Sequence, residues 1–368
     1  MNRSIPPAMD EPFVSAPGGG PSLAAWWRNW LADPAGTFPE LSEGAGIRDA
    51  ISATVAGIEG LLEIPPNGRT LLVVAAATTP LSAWPPILFA LASGWTVVIR
   101  ASRRAPEGVR ALASSIVLAA PAWSGRLRVA TADSEDITTT LSGVDAVVAY
   151  GSDHTLATIR RLAGQRPFLG FGHAVSIGVW RRGTILDAVR LWQDVLVHDQ
   201  AGCLSPQAVF ASRDSEQAAA MLALAGGQVA DALGIAPRVD PAVVARLRDL
   251  REGLAVAGAR VRGDATYRWT VVEPPAGWVL SGDAAFGVVT VVSTSNPAAA
   301  RRALGALVGR VSGIGFTADH DAFAMREWDW IGASRWARMG ELQTPPLEWR
   351  NGGVDIAVWL AEAARSRV

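Results

Sequence analysis

Short apolar runs alternate with helix-like segments between residues 70 and 163, and this alternation restricts the chain to one broad class of fold. The predicted strands are Thr70–Ala76, Thr96–Arg100, Arg126–Ala130 and Val144–Tyr150. The predicted helices are Leu81–Ala92, Pro106–Ala119, Asp136–Leu141 and His154–Ala163. A strand–helix–strand order of this kind produces parallel strands with helices on both faces of an α/β sheet. Such sheets bind nucleotides at the carboxyl ends of their strands.

The stretch Leu71–Ile99 contains no charged residue and is long enough to cross a bilayer. Prolines at positions 80, 85 and 86 interrupt it, and Gly94 follows them. A buried strand–helix–strand unit explains the run better than a transmembrane helix does. We therefore predict no membrane span.

A second stretch of strands and helices follows residue 205. Its predicted strands are Val209–Ala211, Tyr267–Val272, Val288–Ser293 and Gly313–Thr317. Its predicted helices are Ser215–Leu233, Pro241–Ala257, Pro297–Val308 and Val354–Ala364, and two further helices are predicted earlier, at Ser22–Leu31 and Ile47–Leu62. A chain of 368 residues has room for two domains with substantial cores.

The composition excludes several classes of function. A single cysteine rules out an internal disulfide framework and a multi-cysteine zinc site, and we predict no metal. With 33 basic and 34 acidic residues, the chain lacks the positive charge of a nucleic-acid-binding protein. The sequence has no lysine, which removes Schiff-base chemistry. Residues 1–21 lack the basic start and apolar run of a signal peptide, so we predict a disordered tail and a cytoplasmic protein.

The one cysteine, Cys203, falls on a turn between a predicted helix, Ile185–Val197, and the strand that begins near Ala208. A thiolate there is a strong nucleophile, and neighbouring backbone N–H groups can hold the oxyanion that forms when it attacks a carbonyl. The alternative is that Cys203 is a small buried apolar side chain, as most free cysteines are. His198 lies five residues before it and would lower the pKa of the thiol if the two side chains touch.

The residues around the cysteine favour chemistry. The segment Asp199-Gln200-x-Gly202-Cys203-x-Ser205-Pro206-Gln207 resembles the nucleophile segment of the LuxC-type acyl-CoA reductases, fatty-aldehyde-forming members of the aldehyde dehydrogenase superfamily. A C-terminal segment, Gly340-x-x-Gln343-x-Pro345-Pro346-x-x-Trp349-x-x-x-Gly353, is similar to a second motif of that family. The resemblance implies an α/β, aldehyde dehydrogenase-like fold: two three-layer α/β/α domains with a cleft between them.

The resemblance also implies a nicotinamide cofactor. Arg100 and Ser102 occupy the place where the superfamily contacts the adenosine ribose, and Arg103 and Arg104 follow. Arginine pairs with phosphate oxygens in a forked geometry, so these residues suggest the 2′-phosphate of NADPH, with NADH as the alternative. Without the resemblance, a solvated arginine cluster is the simpler interpretation.

A Gly-Ser turn, Gly151-Ser152, resembles the superfamily's turn near the cofactor diphosphate, although any helix cap can look like this. The segment Gly170-x-Gly172-His173-x-x-Ser176 is similar to a LuxC-type segment. His173 either contacts the cofactor or takes part in proton transfer, or it is a turn residue that only hydrogen-bonds the backbone.

Three positions depart from the wider superfamily. No glutamate lies between Pro167 and Trp180, where the oxidising enzymes carry the residue that activates water, and this suits a reductase. Thr78 stands near the usual oxyanion-hole asparagine. Ala284 stands where a glutamate usually binds the nicotinamide ribose.

Taken with the resemblance, the sequence implies an acyl-CoA reductase that converts an acyl thioester to an aldehyde through a Cys203 acyl-enzyme, with catalytic candidates Cys203, His198 and Thr78. The expected domains are residues 1–21 as a tail, 22–200 as N-terminal helices plus the NAD(P)-binding domain, 201–335 as the catalytic domain, and 336–368 as a segment returning to the active-site wall. A CoA-acylating dehydrogenase and a non-catalytic subunit of an acyl-transfer complex are the alternatives. Expected partners are acyl-CoA or another acyl thioester, with an acyl-transfer enzyme and a second copy of the chain left open.

Overall fold

The computed structural model describes residues 64–76, 80–103, 106–131, 135–196, 199–212, 214–282, 286–294, 296–317, 325–343, 345–346 and 349–366. These residues form two compact units. We call residues 64–173 and 345–366 the five-strand unit, and residues 174–343 the seven-strand unit. Thr78, His198, Ala284 and the two helices predicted before residue 64 lie outside the described residues.

The five-strand unit is built on a parallel sheet in the order β3-β2-β1-β4-β5. Its strands are β1 (Thr70–Val74), β2 (Thr96–Arg100), β3 (Leu127–Ala130), β4 (Ala146–Tyr150) and β5 (Phe168–Phe171). The central strands are continuous runs of Val, Leu and Ile because helices cover both faces. The first four strands were predicted from the sequence, and β5 was not.

The helices of this unit divide between the two faces of the sheet. They are α1 (Trp84–Ala92), α2 (Pro106–Ala119), α3 (Ile137–Ser142) and α4 (Asp153–Ala163). Helices α1 and α2 share one core with Leu71 and Val73, whereas α3 and α4 share the opposite core with Leu72 and Val98. The connections therefore change face between β1 and β4, which makes the carboxyl edge there a topological switch point.

The charge-free run Leu71–Ile99 consists of β1, α1 and β2, all packed in this core. Among the described residues, no helix is both long and apolar enough to cross a membrane.

The seven-strand unit contains a sheet in the order β12-β11-β6-β7-β10-β9-β8. Its strands are β6 (Val175–Trp180), β7 (Pro206–Ala211), β8 (Arg260–Gly263), β9 (Thr270–Glu273), β10 (Val288–Ser293), β11 (Val311–Phe316) and β12 (Arg335–Arg338). The pairs are parallel except β8 with β9.

Helices cover the seven-stranded sheet on both faces as well. They are α5 (Ile185–Leu196), α6 (Ser215–Ala232), α7 (Pro241–Val256) and α8 (Pro297–Leu304). Helices α5 and α6 pack together on one face, where Trp192 donates its indole N–H to the carbonyl of Leu222 at 2.8 Å. Leu304 of α8 belongs to the core on the opposite face. A last helix, α9 (Ile356–Arg365), adds Leu360 to the core of the five-strand unit.

The boundary between the units falls after His173, whereas the sequence suggested residue 200. Strand β6 pairs with β7 and α5 packs beneath them, so residues 174–200 join the unit that holds Cys203. Residues 336–343 belong to the same unit because β12 pairs with β11.

Candidate active site

Cys203 lies on the turn that joins α5 to β7, as the sequence predicted, at the amino end of β7. It is a free, half-buried thiol. The described part of the turn, from residue 199 to residue 205, is held by contacts of Asp199, Gln200, Cys203 and Ser205. These contacts hold the backbone around Cys203 in place.

The turn begins where α5 ends. The N–H groups of Asp199 and Gln200 donate to the last carbonyls of the helix, those of Leu196 and Val195, each at 2.9 Å. Asp199 and Gln200 have φ values of 51° and 60°, a left-handed conformation that non-glycine residues adopt rarely. An ion pair offsets the cost of this conformation. The guanidinium of Arg238 contacts the Asp199 carboxylate in a forked geometry, with Nη1 at 2.8 Å from Oδ2.

The side-chain amide of Gln200 ties the turn to the sheet. It is almost fully buried, and its Nε2 donates to the carbonyls of Pro206 and Val288 at 2.9 and 2.6 Å. Its Oε1 accepts from the N–H of Val288 at 2.9 Å. The Gln200 amide thus pairs with both the carbonyl and the N–H of Val288, the first residue of β10, as a backbone group would.

Ser205 and Gln343 join the nucleophile segment to the C-terminal motif. The Nε2 of Gln343 donates to the Ser205 hydroxyl at 2.8 Å and to the carbonyl of Asp194 at 2.7 Å. The Asp194 carboxylate accepts in turn from the N–H of Gly340 at 2.6 Å and from that of Gln343 at 3.3 Å. Residues from the two family-like motifs therefore form one buried hydrogen-bond network with Asp194 at its centre.

Burial raises the pKa of Asp194 to about 7, and the N–H groups of Gly340 and Gln343 and the nearby Arg335 partly oppose the shift. Arg335 is itself desolvated, which lowers its pKa. Its guanidinium donates to the carbonyls of Leu342 and Glu341 at 3.1 and 2.6 Å. Asp194 is thus a buried acid that changes charge near neutral pH.

The electrostatics of Cys203 are set by neutral groups. Burial of the sulfur raises the pKa of the thiol, and the nearby Ser312 hydroxyl and the backbone N–H of Cys203 itself oppose this shift. The hydroxyl of Ser176 donates to the Cys203 carbonyl at 2.8 Å and fixes the peptide next to it. The effect proposed for His198 concerns a residue outside the described part of the chain.

Four of the cofactor candidates are brought together in the five-strand unit. Gly151 and Ser152 connect β4 to α4, with Ser152 as the N-cap residue of the helix, and Gly172 and His173 follow the neighbouring strand β5 and are exposed. The N–H of Gly151 donates to the carbonyl of Phe171 at 3.2 Å, which links the two strand ends. All four lie at the carboxyl edge, beside the switch point between β1 and β4.

The arginine candidates occupy different environments at the end of β2. The Arg100 guanidinium donates to the carbonyl of Glu135 and, at 3.2 Å, to the hydroxyl of Thr140, so it braces the segment before α3. Ser102 is half-buried and Arg103 is exposed. Arg103 is therefore better placed than Arg100 to receive a ligand from solvent.

The sequence did not single out Asp194 or Ser312, and it gave Ser176 only as the last residue of a family-like segment. Asp194 has a readable signal, since it lies between Trp192 and Val195 on the apolar side of α5. The positions of Ser176 and Ser312 beside the cysteine turn could not be read from the sequence, because they depend on strand pairing. No group of three or more His, Cys, Asp or Glu side chains is placed to hold a metal ion within the described part of the chain.

The fold defined by these two sheets is that of the aldehyde dehydrogenases. An NADP-dependent glyceraldehyde-3-phosphate dehydrogenase from Bacillus halodurans C-125, solved with NADP, is 15% identical over 86% of this chain and 77% of its own, with a TM-score of 0.62. Aldehyde dehydrogenase C from Pseudomonas syringae, solved with NAD+ and octanal, is 14% identical over 86% and 76%, with a TM-score of 0.61. Aldehyde dehydrogenase 21 from Physcomitrella patens, solved with succinate, is 13% identical over 91% and 81%, with a TM-score of 0.65.

The family is more specific than the fold. The family model of the LuxC acyl-CoA reductases matches residues 59–344, and the chain belongs to that family. A search of curated proteins finds no match. The match spans the nucleophile segment and the part of the C-terminal motif up to Gln343, and it confirms the resemblance drawn from those residues. The family and the fold together make the protein an oxidoreductase of acyl-CoA or aldehyde chemistry.

Proposed function

We propose that the protein is an NADPH-dependent acyl-CoA reductase, which converts an acyl thioester to an aldehyde through an acyl-enzyme on Cys203. The observation that carries the proposal is the anchoring of the cysteine turn. Asp199, Gln200 and Ser205 each hold it through a side-chain contact of their own. Residues of the family motif therefore hold the backbone around one thiol, as nucleophilic catalysis requires.

The reaction begins at the Cys203 sulfur. The thiolate attacks the thioester carbonyl, a carbon–sulfur bond forms, and coenzyme A leaves as its thiolate and takes a proton from solvent. A nicotinamide cofactor, when bound, would supply the hydride that the carbonyl carbon of the acyl-enzyme accepts. The resulting hemithioacetal oxyanion collapses, the bond to Cys203 breaks, and the products are an aldehyde and the original thiolate. Hydrolysis of the acyl-enzyme is disfavoured because no glutamate lies between Pro167 and Trp180.

The carboxyl edge of the five-strand unit supports the cofactor part of the proposal. Gly151 lies two residues before the first residue of α4, at the switch point, and a Cβ there would lie 3.1–3.2 Å from the side chain of Thr155. Glycine thus keeps the backbone open at the amino end of a helix, where N–H groups attract phosphate. Gly151 and Ser152 would hold the diphosphate, with Gly172 and His173 beside it. Related folds solved with NADP and with NAD+ support the same class of cofactor.

The choice of NADPH over NADH depends on the arginines. Arg103 is exposed near the end of β2, and Arg100 and Ser102 precede it. A free guanidinium pairs well with a ribose 2′-phosphate, which NADH lacks. We assign this contact chiefly to Arg103, because Arg100 already donates to Glu135 and Thr140.

A second candidate function is a non-catalytic subunit that binds an acyl-transfer enzyme. It is favoured by one observation: burial raises the pKa of Cys203, which leaves less thiolate at neutral pH. A covalent adduct separates the two candidates.

The test is the intact mass of the protein after incubation with a panel of acyl-CoA thioesters without cofactor. A reductase gains the mass of one acyl group, and Cys203→Ala gains none. Because Cys203 is the sole cysteine, a thioester adduct has only one thiol on which to form. Failure of every thioester to label the protein would overturn the proposal. Addition of NADPH should then release aldehyde and restore the original mass.

A further inference from the structure

The carboxyl edge of the seven-stranded sheet contains a cavity, at the opposite edge from Cys203. Its volume is about 560 Å³, and it is lined by Arg181, Arg182, Gly183, Ser212, Asp214 and Gln217. Arg181 directly follows β6 and Ser212 directly follows β7, whereas Cys203 precedes β7. Strand β7 has six residues. At about 3.3 Å per residue, its length separates the cavity from the cysteine turn by about 20 Å.

The carboxyl end of β6 lies at a topological switch point of this sheet. Its parallel neighbour on one side is β11. The chain leaves β6 through α5 toward β7, and it leaves β11 in the other direction, toward β12. Trp192 of α5 is buried on one face of the sheet, and Trp328, which follows β11, is buried on the other. Open α/β sheets bind ligands outside the carboxyl ends of their strands at such points.

The loop that follows β6 is held by its backbone, which leaves two cationic side chains free. The Thr317 hydroxyl accepts from the N–H of Arg181 at 3.2 Å and donates to its carbonyl at 2.9 Å. Asp214 accepts from the N–H of Arg182 at 3.0 Å, and Arg182 has a φ of 47°, a conformation that arginine adopts rarely. Both arginines are exposed, and within the described part of the chain neither guanidinium forms a hydrogen bond or an ion pair.

The amino end of α6 adds backbone donors to the same cavity. Asp214 is the N-cap residue of this 18-residue helix, but its side chain does not cap the helix. Its Oδ2 accepts from the loop after β6 instead. The first N–H groups of a helix have no partner within it and attract anions. Two guanidinium groups and one carboxylate give the lining a net charge of +1 before the helix contributes.

A buried donor lies against this loop. Trp180 ends β6 with 1% of its surface exposed, and its indole N–H has no acceptor among the described residues. A Cβ placed on Gly183 would lie 2.4 Å from Cε2 of the indole, the carbon that carries the nitrogen. The glycine of the cavity therefore packs directly on the indole. Buried donors without an acceptor are uncommon, and this one lies next to a cavity lined by cationic groups.

We propose that this cavity is a second binding site, which takes the phosphate group of a small molecule. A guanidinium pairs with phosphate oxygens in a forked geometry, and the amino end of α6 favours the same charge. A volume of about 560 Å³ also leaves room for the body of a phosphate ester. The proposal stands apart from the reductase function, because the cavity and Cys203 lie at opposite edges of the sheet.

The test is calorimetric titration of the full chain with inorganic phosphate and with phenyl phosphate, in a buffer without other polyvalent anions. The wild type should bind at least one of them, and Arg181→Gln/Arg182→Gln should raise its dissociation constant about tenfold or more. Arg246→Gln/Arg248→Gln is the matched control, because it removes the same two charges from exposed positions of α7 and should leave the affinity unchanged. Tighter binding of phenyl phosphate identifies an ester as the ligand, and tighter binding of inorganic phosphate identifies the free ion.

Asp214→Asn tests the same site with the opposite sign. It removes the negative charge from the lining, while its amide oxygen can still accept from the N–H of Arg182, so phosphate should bind roughly severalfold more tightly. A variant that fails to fold cannot gain affinity. Phosphate bound elsewhere, for example at Gly151, would respond to neither substitution. The proposal is overturned if neither phosphate binds the wild type at millimolar concentration, or if the glutamine pair binds as tightly as the wild type.

Discussion

The side-chain amide of Gln343 lies 2.8 Å from the hydroxyl of Ser205 and connects the C-terminal motif to the nucleophile turn. The same nitrogen donates to the carbonyl of Asp194 at 2.7 Å. The two residues are separated by 138 positions in the sequence, and both are buried. The C-terminal motif therefore supports Cys203 indirectly, by holding the segment that follows it.

Replacement of Gln343 by methionine should destabilise the protein by about 1–3 kcal/mol, because it leaves the carbonyl of Asp194 and the hydroxyl of Ser205 without their donor in a buried site. Methionine has nearly the same length, so the cavity term is small. Urea unfolding measures the change. Gln217→Met, at an exposed position of α6, is the control and should alter the free energy of unfolding by less than about 0.5 kcal/mol. Equal effects at the two sites would show that the network contributes nothing.

The left-handed backbone at Asp199 gives a second prediction. Asp199→Ala and Asp199→Gly both remove the ion pair with Arg238, but only glycine tolerates a φ of 51° without strain. The glycine variant should therefore be more stable than the alanine variant by about 1 kcal/mol. This order reverses the usual one in regular secondary structure, where alanine is preferred. Thermal or urea unfolding of both variants decides the matter, and an alanine variant as stable as the glycine variant would contradict it.

The buried acid Asp194 should make stability depend on pH in a defined direction. Its pKa is raised to about 7 in the folded protein, above the value of about 3.9 for an unfolded chain. Between these values the folded state holds more protons than the unfolded state, so stability falls as pH rises from about 4 to 7. Asp194→Asn removes this contribution.

The informative quantity is the difference in unfolding free energy between Asp194→Asn and the wild type, because the other titrating groups cancel in it. This difference should shift in favour of the variant as pH rises from 5 to 8, by about 1.4 kcal/mol for each unit of pH between the two pKa values. The N–H groups of Gly340 and Gln343 donate to different oxygens of the Asp194 carboxylate, whereas asparagine has only one acceptor oxygen, so the variant starts from lower stability at pH 5. A difference that is flat over this range would show that Asp194 titrates normally.

Much of the fold follows from the sequence alone, for local reasons. Helix α5 and strand β7, which flank Cys203, were predicted from helical spacing and from a short apolar run, and both formed close to the predicted limits. The same local signals gave β1, β2 and β4. Strands β5 and β6 were missed because the glycines at positions 170 and 172 made this region look like a turn. Strand β12 was missed because arginine begins and ends it.

The contacts of the site residues could not be read from the sequence for a common reason. Ser312 lies where β11 carries one more residue than β6, and register is a property of two strands together. The partners of Asp194 lie 146 and 149 positions away. The family resemblance pointed to Cys203, Ser205 and Gln343, and only the structure showed that the last two hold the turn on which the first lies.

Gly151, which lies just before α4, supplies a test of cofactor binding. Gly151→Ala places a Cβ 3.1–3.2 Å from the side chain of Thr155. It leaves less space beside the backbone where we place the diphosphate. The dissociation constants of NADPH and NADH should both rise, about tenfold or more, as measured by fluorescence titration. Gly143→Ala is the control in the same unit, because a Cβ there meets nothing within 4 Å. If the two variants bind the cofactors equally well, the diphosphate lies elsewhere.

The exposed guanidinium of Arg103 supplies the sharpest test of cofactor choice. Arg103→Gln keeps a polar side chain of similar reach but removes the charge that would pair with a ribose 2′-phosphate. Loss of one charge-assisted hydrogen bond of about 1.5–3 kcal/mol should weaken NADPH binding roughly 10- to 100-fold and leave NADH binding unchanged. Arg110→Gln is the control, since Arg110 is exposed on α2 and pairs with Glu107 at 2.6 Å. A general electrostatic effect would weaken both cofactors in both variants, whereas a direct contact changes the ratio of the two only at position 103. An unchanged ratio in Arg103→Gln would remove the reason for preferring NADPH.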